Sequence, residues 1–143
     1  MEDIRWQQRL SNYSNILRVL DANLESSDLD DFGELEQIGL AKSFELTFEL
    51  MWKLIKDYLE SQDVEIGLIS PKNVLRVAGT SGLLELMGVD GEALIAAHRT
   101  RNELTHVYDE EAFRSALEQV KRDFLPELNK VGAYFGRLGS GSE

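Results

Sequence analysis

The 143-residue chain carries 26 acidic against 15 basic residues, a net charge of −11, with 43% hydrophobic and 29% charged residues. That is ordinary globular composition at one domain's length, and its acidity opposes a broad nucleic-acid-binding surface, which needs clustered Lys and Arg. Cysteine is absent, which excludes disulfides, thiolate zinc sites and Cys nucleophiles. No apolar run approaches the roughly 20 residues needed to cross a bilayer, and Met1 opens into a charged segment without an apolar leader. A cytoplasmic protein with no membrane partner is the expectation.

The first segment, from Asp3 to about Glu25, places Trp6, Leu10, Tyr13, Leu17, Leu20 and Leu24 on one helical stripe. The run from Ser26 to Gly33 breaks that period and reads as a loop. Its Asp28-Leu29-Asp30 resembles a transferase metal pair, but the preceding residues are helical, so the loop reading is the better one. A long second helix spans Glu34 to Ser61, with Ile38, Ala41, Phe48, Trp52, Ile55 and Leu59 on one seam. Phe44, Thr47, Met51, Leu54 and Tyr58 form a second seam beside it, and so wide an apolar face requires at least two helical neighbours. Both tryptophans, Trp6 and Trp52, lie on these stripes and read as core. Lys42, Glu45, Glu49, Lys53 and Lys56 line one edge as an ion-pair ladder, with Glu49 and Lys53 a favourable i,i+4 pair.

Ser70-Pro71 is an N-cap with proline at the first helical position, predicting a short helix to about Gly79. Gly82, Gly88 and Gly91 punctuate the next connection, and a fourth helix is expected from Glu92 to Val107. Asp109 caps the last helix, whose stripe is Phe113, Leu117, Val120, Phe124, Leu128, Val131 and Phe135, with a kink expected at Pro126. No segment alternates as a strand does. The expectation is an all-α antiparallel bundle of four to five helices, one domain over 1–138, followed by a flexible tail over 139–143.

Chemistry concentrates between His98 and Tyr108, which holds both histidines of the chain together with Arg99 and Arg101. On a continuous helix His98, Arg101, Asn102, Thr105 and His106 share a face, with Arg101 and His106 about 140° apart around Asn102. Arg is a forked phosphate donor and His exchanges protons near neutral pH. Spacing alone favours a solvated face ion-paired to the chain's carboxylates over a catalytic one. The two histidines have no third ligand near them, which speaks against a metal site.

Arg101, Asn102, His106 and Tyr108 form R-N-x3-H-x-Y, and Phe44 to Leu59 reads FE-x-T-FE-x-x-WK-x-x-K-x-YL. With Ser70-Pro71-Lys72, these motifs resemble the HEPN family of the HepT type, also called nucleotidyltransferase substrate-binding-protein-like, over most of the chain. The resemblance implies a helical bundle that forms a homodimer through its motif helices, beside a minimal nucleotidyltransferase as cognate antitoxin. It implies a metal-independent endoribonuclease toxin without cofactor, with Arg101 and His106 as catalytic pair and Asn102 in support. In it, AMP transfer to Tyr108 silences the toxin, and a cleft that concentrates His98 and Arg99 from both subunits would hold RNA phosphates against the chain's acidity. The alternative is a non-catalytic subunit that holds a nucleotide or other substrate for the transferase. A third is a bundle that merely docks the partner.

Overall fold

The computed structural model describes residues 5–106 and 109–139, so Tyr108, the far end of the expected fourth helix and most of the expected tail lie outside the described residues. The described residues are helical, without strands: α1 (Arg5–Ser26), α2 (Glu34–Ser61), α3 (Pro71–Thr80), α4 (Leu83–Met87), α5 (Gly91–Leu104), α6 (Glu110–Gln119) and α7 (Leu125–Gly139). A helical bundle is therefore the observed architecture. A 3-10 turn at Leu29–Asp31 joins α1 to α2, and a π-helical turn at Val120–Phe124 joins α6 to α7.

The long hairpin of α1 on α2 is the backbone of the bundle; α7 closes over α1, and α5 rests against α2, α3 and the π turn. The apolar stripe of α1 is buried at Trp6, Tyr13, Leu17, Leu20 and Leu24 and partly at Leu10, and α2 buries Phe44, Phe48, Met51, Leu54 and Ile55 completely. Ile38 departs from expectation. It is 50% exposed, with Leu35 and Leu46 also exposed on α2. At about 100° per residue Leu35, Ile38, Lys42, Leu46, Glu49 and Lys53 lie on one α2 face.

The caps act as expected. Ser70 Oγ accepts from Asn73 N–H at 3.3 Å, and Asp109 Oδ2 accepts from Ala112 N–H at 3.0 Å. The glycines after α3 do more than mark a loop. Gly82 and Gly88 adopt φ of 89° and 71°, a left-handed geometry that glycine takes without penalty, and they bracket the short α4. Asp28 to Asp31 is a turn in which Asp28 accepts from Asp30 N–H, and Asp30 is ion-paired with Arg114. The expected disruption near Pro126 takes the form of the π turn directly before it. Leu125 N–H reaches back to the Val120 carbonyl. Proline offers no N–H to the preceding turn and its ring crowds that turn's carbonyl, and the wider loop of a π turn relieves the crowding.

Tyr13 is fully buried, and its hydroxyl donates to the Leu128 carbonyl at 2.7 Å, tying α1 to α7; burial raises its pKa strongly. Nearby, a Cβ on Gly132 would come within 3.1 Å of Leu17, so glycine permits the close approach of the two helices. Asp57, 1% exposed, is held between Arg9 at 2.9 Å and Lys56 at 3.1 Å. No helix among the described residues is long and apolar enough to cross a membrane.

Tyr13→Phe removes one buried hydrogen bond and leaves a helical carbonyl that keeps its intrahelical partner. The expected cost is about 1 kcal/mol of folding stability, read as a lower urea midpoint at unchanged m-value.

Candidate functional site

The site grows from the contact of α2 with α5. Leu94, Ala97, Thr100 and Leu104 are buried and anchor α5 on the core, which turns Arg101 toward Glu49 of α2. Arg101 Nη2 donates to Glu49 Oε1 at 2.5 Å, linking residues from separate helices. The same carboxylate accepts from Trp52 Nε1 at 3.2 Å and pairs with Lys53 Nζ at 3.1 Å. The Glu49–Lys53 pair belongs to the ladder expected on α2, but Lys56 turns instead to Asp57 and Glu60.

Side-chain spacing assigns Glu49 to the ion-pair ladder of α2, yet in the structure it is the hub of the α2–α5 contact. Burial raises its pKa, but the hydrogen bonds from Trp52 and Lys53 and the charges of Arg101 and Lys53 outweigh that, so the carboxyl sits below the ordinary glutamate value. The signal available in the sequence was its place in the same patterned segment as Trp52 and Lys53. Only the packing of α5 on α2 brings Arg101 to it.

Asn102 extends the contact. Its Oδ1 accepts from Arg101 Nη1 at 3.4 Å, which leaves its amide nitrogen facing His98 Nε2 at 3.5 Å. In that orientation the amide donates and the imidazole accepts, so the ring proton lies on Nδ1. The His98 ring stacks on Phe48, with centroids 5.7 Å apart and planes 20° from parallel. Burial, then the charges of Arg101 and Lys72, depress the His98 pKa, against an opposing pull from Glu49. His98 is therefore neutral at pH 7.

The remaining sequence candidates separate. Helix α5 ends at Leu104, so His106 stands in the following turn, exposed, with its N–H bonded to the Glu103 carbonyl at 3.0 Å. The helix expected to run to Val107 closes earlier, where Thr105 Oγ1 donates to the Asn102 carbonyl at 2.6 Å. Arg99, two positions from Arg101 and thus about 200° around the helix, faces away from α2. It lines a cleft of about 700 Å³ between α3 and α5 with Lys72 and Arg76. His98, Arg101 and Asn102 thus form one cluster, and Arg99 stands outside it. Among the described residues, no group of three or more His, Asp or Glu side chains could hold a metal ion.

Residues 8–134 match the family described as nucleotidyltransferase substrate binding protein like. The chain belongs to this family. The match runs from α1 into α7 and includes the α2–α5 contact. The family's description points to partnership with a nucleotidyltransferase. No curated protein matches the chain significantly.

An NMR titration of His98 checks the electrostatics. Its pKa should lie below the ordinary histidine value, rise in Lys72→Gln and fall further in Glu49→Gln, because the two charges pull in opposite directions. Since the folded pKa is the lower one, His98 lowers folding stability as the pH drops below the ordinary histidine value and the unfolded chain takes up the proton first. An unchanged His98 titration in both variants would remove Lys72 and Glu49 from this account.

Proposed function

We propose that the chain is the non-catalytic, substrate-holding subunit of a two-component cytoplasmic nucleotidyltransferase, working as a homodimer beside a separate catalytic chain. The observation that carries this reading is the state of Arg101. Its guanidinium is already committed to Glu49 at 2.5 Å, and its Nε is buried without a hydrogen-bond partner. A guanidinium locked between two helices is suited to hold a fixed geometry, with its outer edge and Asn102 offered to a ligand or a partner. Neutral, ring-stacked His98 adds a donor and acceptor rather than a charge. The family membership supports the pairing with a nucleotidyltransferase.

The homodimer has support in the exposed face of α2. Leu35 at 81%, Ile38 at 50% and Leu46 at 48% exposure lie on the face that also carries Glu49. Burying that face in a second copy would bring two α2–α5 contacts together, and their cations with them. That concentration offsets the acidity of the chain as a whole.

A second reading is favoured by one observation, the exposed His106 at the end of the same helix that carries Arg101. In that reading the chain is a ribonuclease toxin. His106 assists attack of a ribose 2′-hydroxyl on the adjacent phosphate, Arg101 stabilises the developing charge with Asn102 in support, His98 and Arg99 hold RNA phosphates, and AMP transfer to Tyr108 silences it.

Two measurements divide the readings. Co-elution with the cognate nucleotidyltransferase and the turnover of that enzyme should both fall in Arg101→Ala, with turnover down about tenfold, the loss of one charge-assisted contact. Incubation of the unmodified protein, its mass checked at Tyr108, with cellular RNA in excess EDTA should leave the RNA intact. Cleavage that disappears in His106→Ala would replace the substrate-holding reading with the ribonuclease.

A further inference from the structure

The cleft between α3 and α5 is separate from the Arg101 cluster and has a composition unlike the rest of this acidic chain. Lys72 and Arg76, four residues apart on one face of α3, stand across from Arg99 of α5. Most other cations are ion-paired, as Arg9 is to Asp57 and Lys130 to Glu127. Among the described residues these three have no carboxylate partner; Arg76 Nε donates only to the amide oxygen of Asn73, at 3.0 Å. A chain with 26 acidic residues has carboxylates enough to pair every cation. Three unpaired cations around one cleft therefore point to an anion from outside.

The floor between them is apolar. Leu75 is 2% and Leu84 8% exposed, and half-buried Ile95 completes it. Gly79 and Gly91 flank Leu84, and a Cβ on Gly91 would come within 3.2 Å of that leucine, so bare backbone keeps the wall thin. Two carboxylates lie at the α5 end of the cleft. Asp90 Oδ1 is engaged in capping, accepting from Glu92 N–H at 3.0 Å, which leaves Glu92 to meet a hydroxyl or amino group of a ligand. The cleft's volume of about 700 Å³ suits a small molecule.

We infer that this cleft binds a phosphorylated small molecule, its phosphate held by Lys72, Arg76 and Arg99 and its body laid on Leu75, Leu84 and Ile95. Forked guanidiniums match phosphoryl oxygens and the ammonium adds a point charge. Lys72 also acts electrostatically on His98, so the bound phosphate lies within electrical reach of the α2–α5 cluster. The inference rests on the substrate-holding reading and gives that substrate a chemical class.

The test is a titration of the full-length, methyl-labelled protein at low salt with AMP, ribose 5-phosphate and adenosine. The methyl signals of Leu75, Leu84 and Ile95 should move with the phosphorylated probes. Affinity should fall at least about tenfold in the Arg76→Gln/Arg99→Gln double variant, whose spectrum also reports whether it is folded. Arg18→Gln on α1 should bind as the wild type does, and added salt should weaken binding. Movement with AMP alone supports a nucleotide, and movement with both phosphate esters supports the ester itself as the recognised group. Adenosine binding as tightly as AMP, an unchanged double variant, or no binding by any probe would overturn the cleft. If the signal that moves is instead that of Leu104, three residues from Arg101 on α5, the cleft falls while the substrate-holding reading stands. Binding in the cleft without any effect of Arg101→Ala on the transferase complex would have the opposite meaning.

Discussion

The pairing of Glu49 with Arg101 is the constraint on which the functional end of this bundle depends. Two charged side chains with no more than about a quarter of their surface exposed lose hydration, and only a short, well-directed contact offsets that loss. Trp52 and Lys53 complete the carboxylate's hydrogen bonding, so the pair is held from the α2 side before a ligand arrives. With Arg101 fixed, the orientation of Asn102 follows from its acceptor contact, and that of His98 from Asn102 on one side and Phe48 on the other. A line of polar contacts thus crosses from α2 to α5 over a base of buried aromatic and aliphatic side chains.

The rest of the bundle serves to keep that contact in place. Burial of most of both α2 seams sets α2 as the central element, and Tyr13 and Asp57 fasten α1 to its neighbours by polar contacts inside the core. At the other end, Glu127 of α7 accepts from the backbone N–H of Asp90, the cap of α5, at 2.8 Å. Helix α5 is therefore held at its start by α7 and near its end by α2, and the two sites proposed on it share one rigid support.

The charge distribution is compatible with an anion site on a strongly acidic chain. Its carboxylates are dispersed over the surface and into ion pairs, whereas Lys72, Arg76 and Arg99, which lack such partners, line the cleft where α3 meets α5. Net charge measures long-range attraction, and local binding depends on which side chains face one cleft. An acidic exterior is thus compatible with a local phosphate site and still disfavours indiscriminate nucleic-acid binding.

Periodicity and end signals made most of the helices legible. The stripes of α1, α2 and α7, the Ser70 and Asp109 caps and the burial of both tryptophans follow from side-chain spacing and local hydrogen bonding, which a sequence carries in full. The motif residues Arg101, Asn102 and His106 were equally legible as residues with chemistry. Their arrangement was not: α5 stops at Leu104 through a turn that spacing does not announce, and Arg101 is tied to Glu49 of α2. Exposure of Ile38 and the short α4 between two left-handed glycines are not legible in the sequence for a related reason, since both depend on what packs nearby. By itself the sequence determined an all-helical bundle with a reactive segment on its penultimate long helix. The tertiary structure alone decided that Arg101 meets Glu49, that His98 lies on Phe48, and that Arg99 joins Lys72 and Arg76. Each pair comes from helices separated by long stretches of chain, and only the packing angle between those helices determines which faces meet.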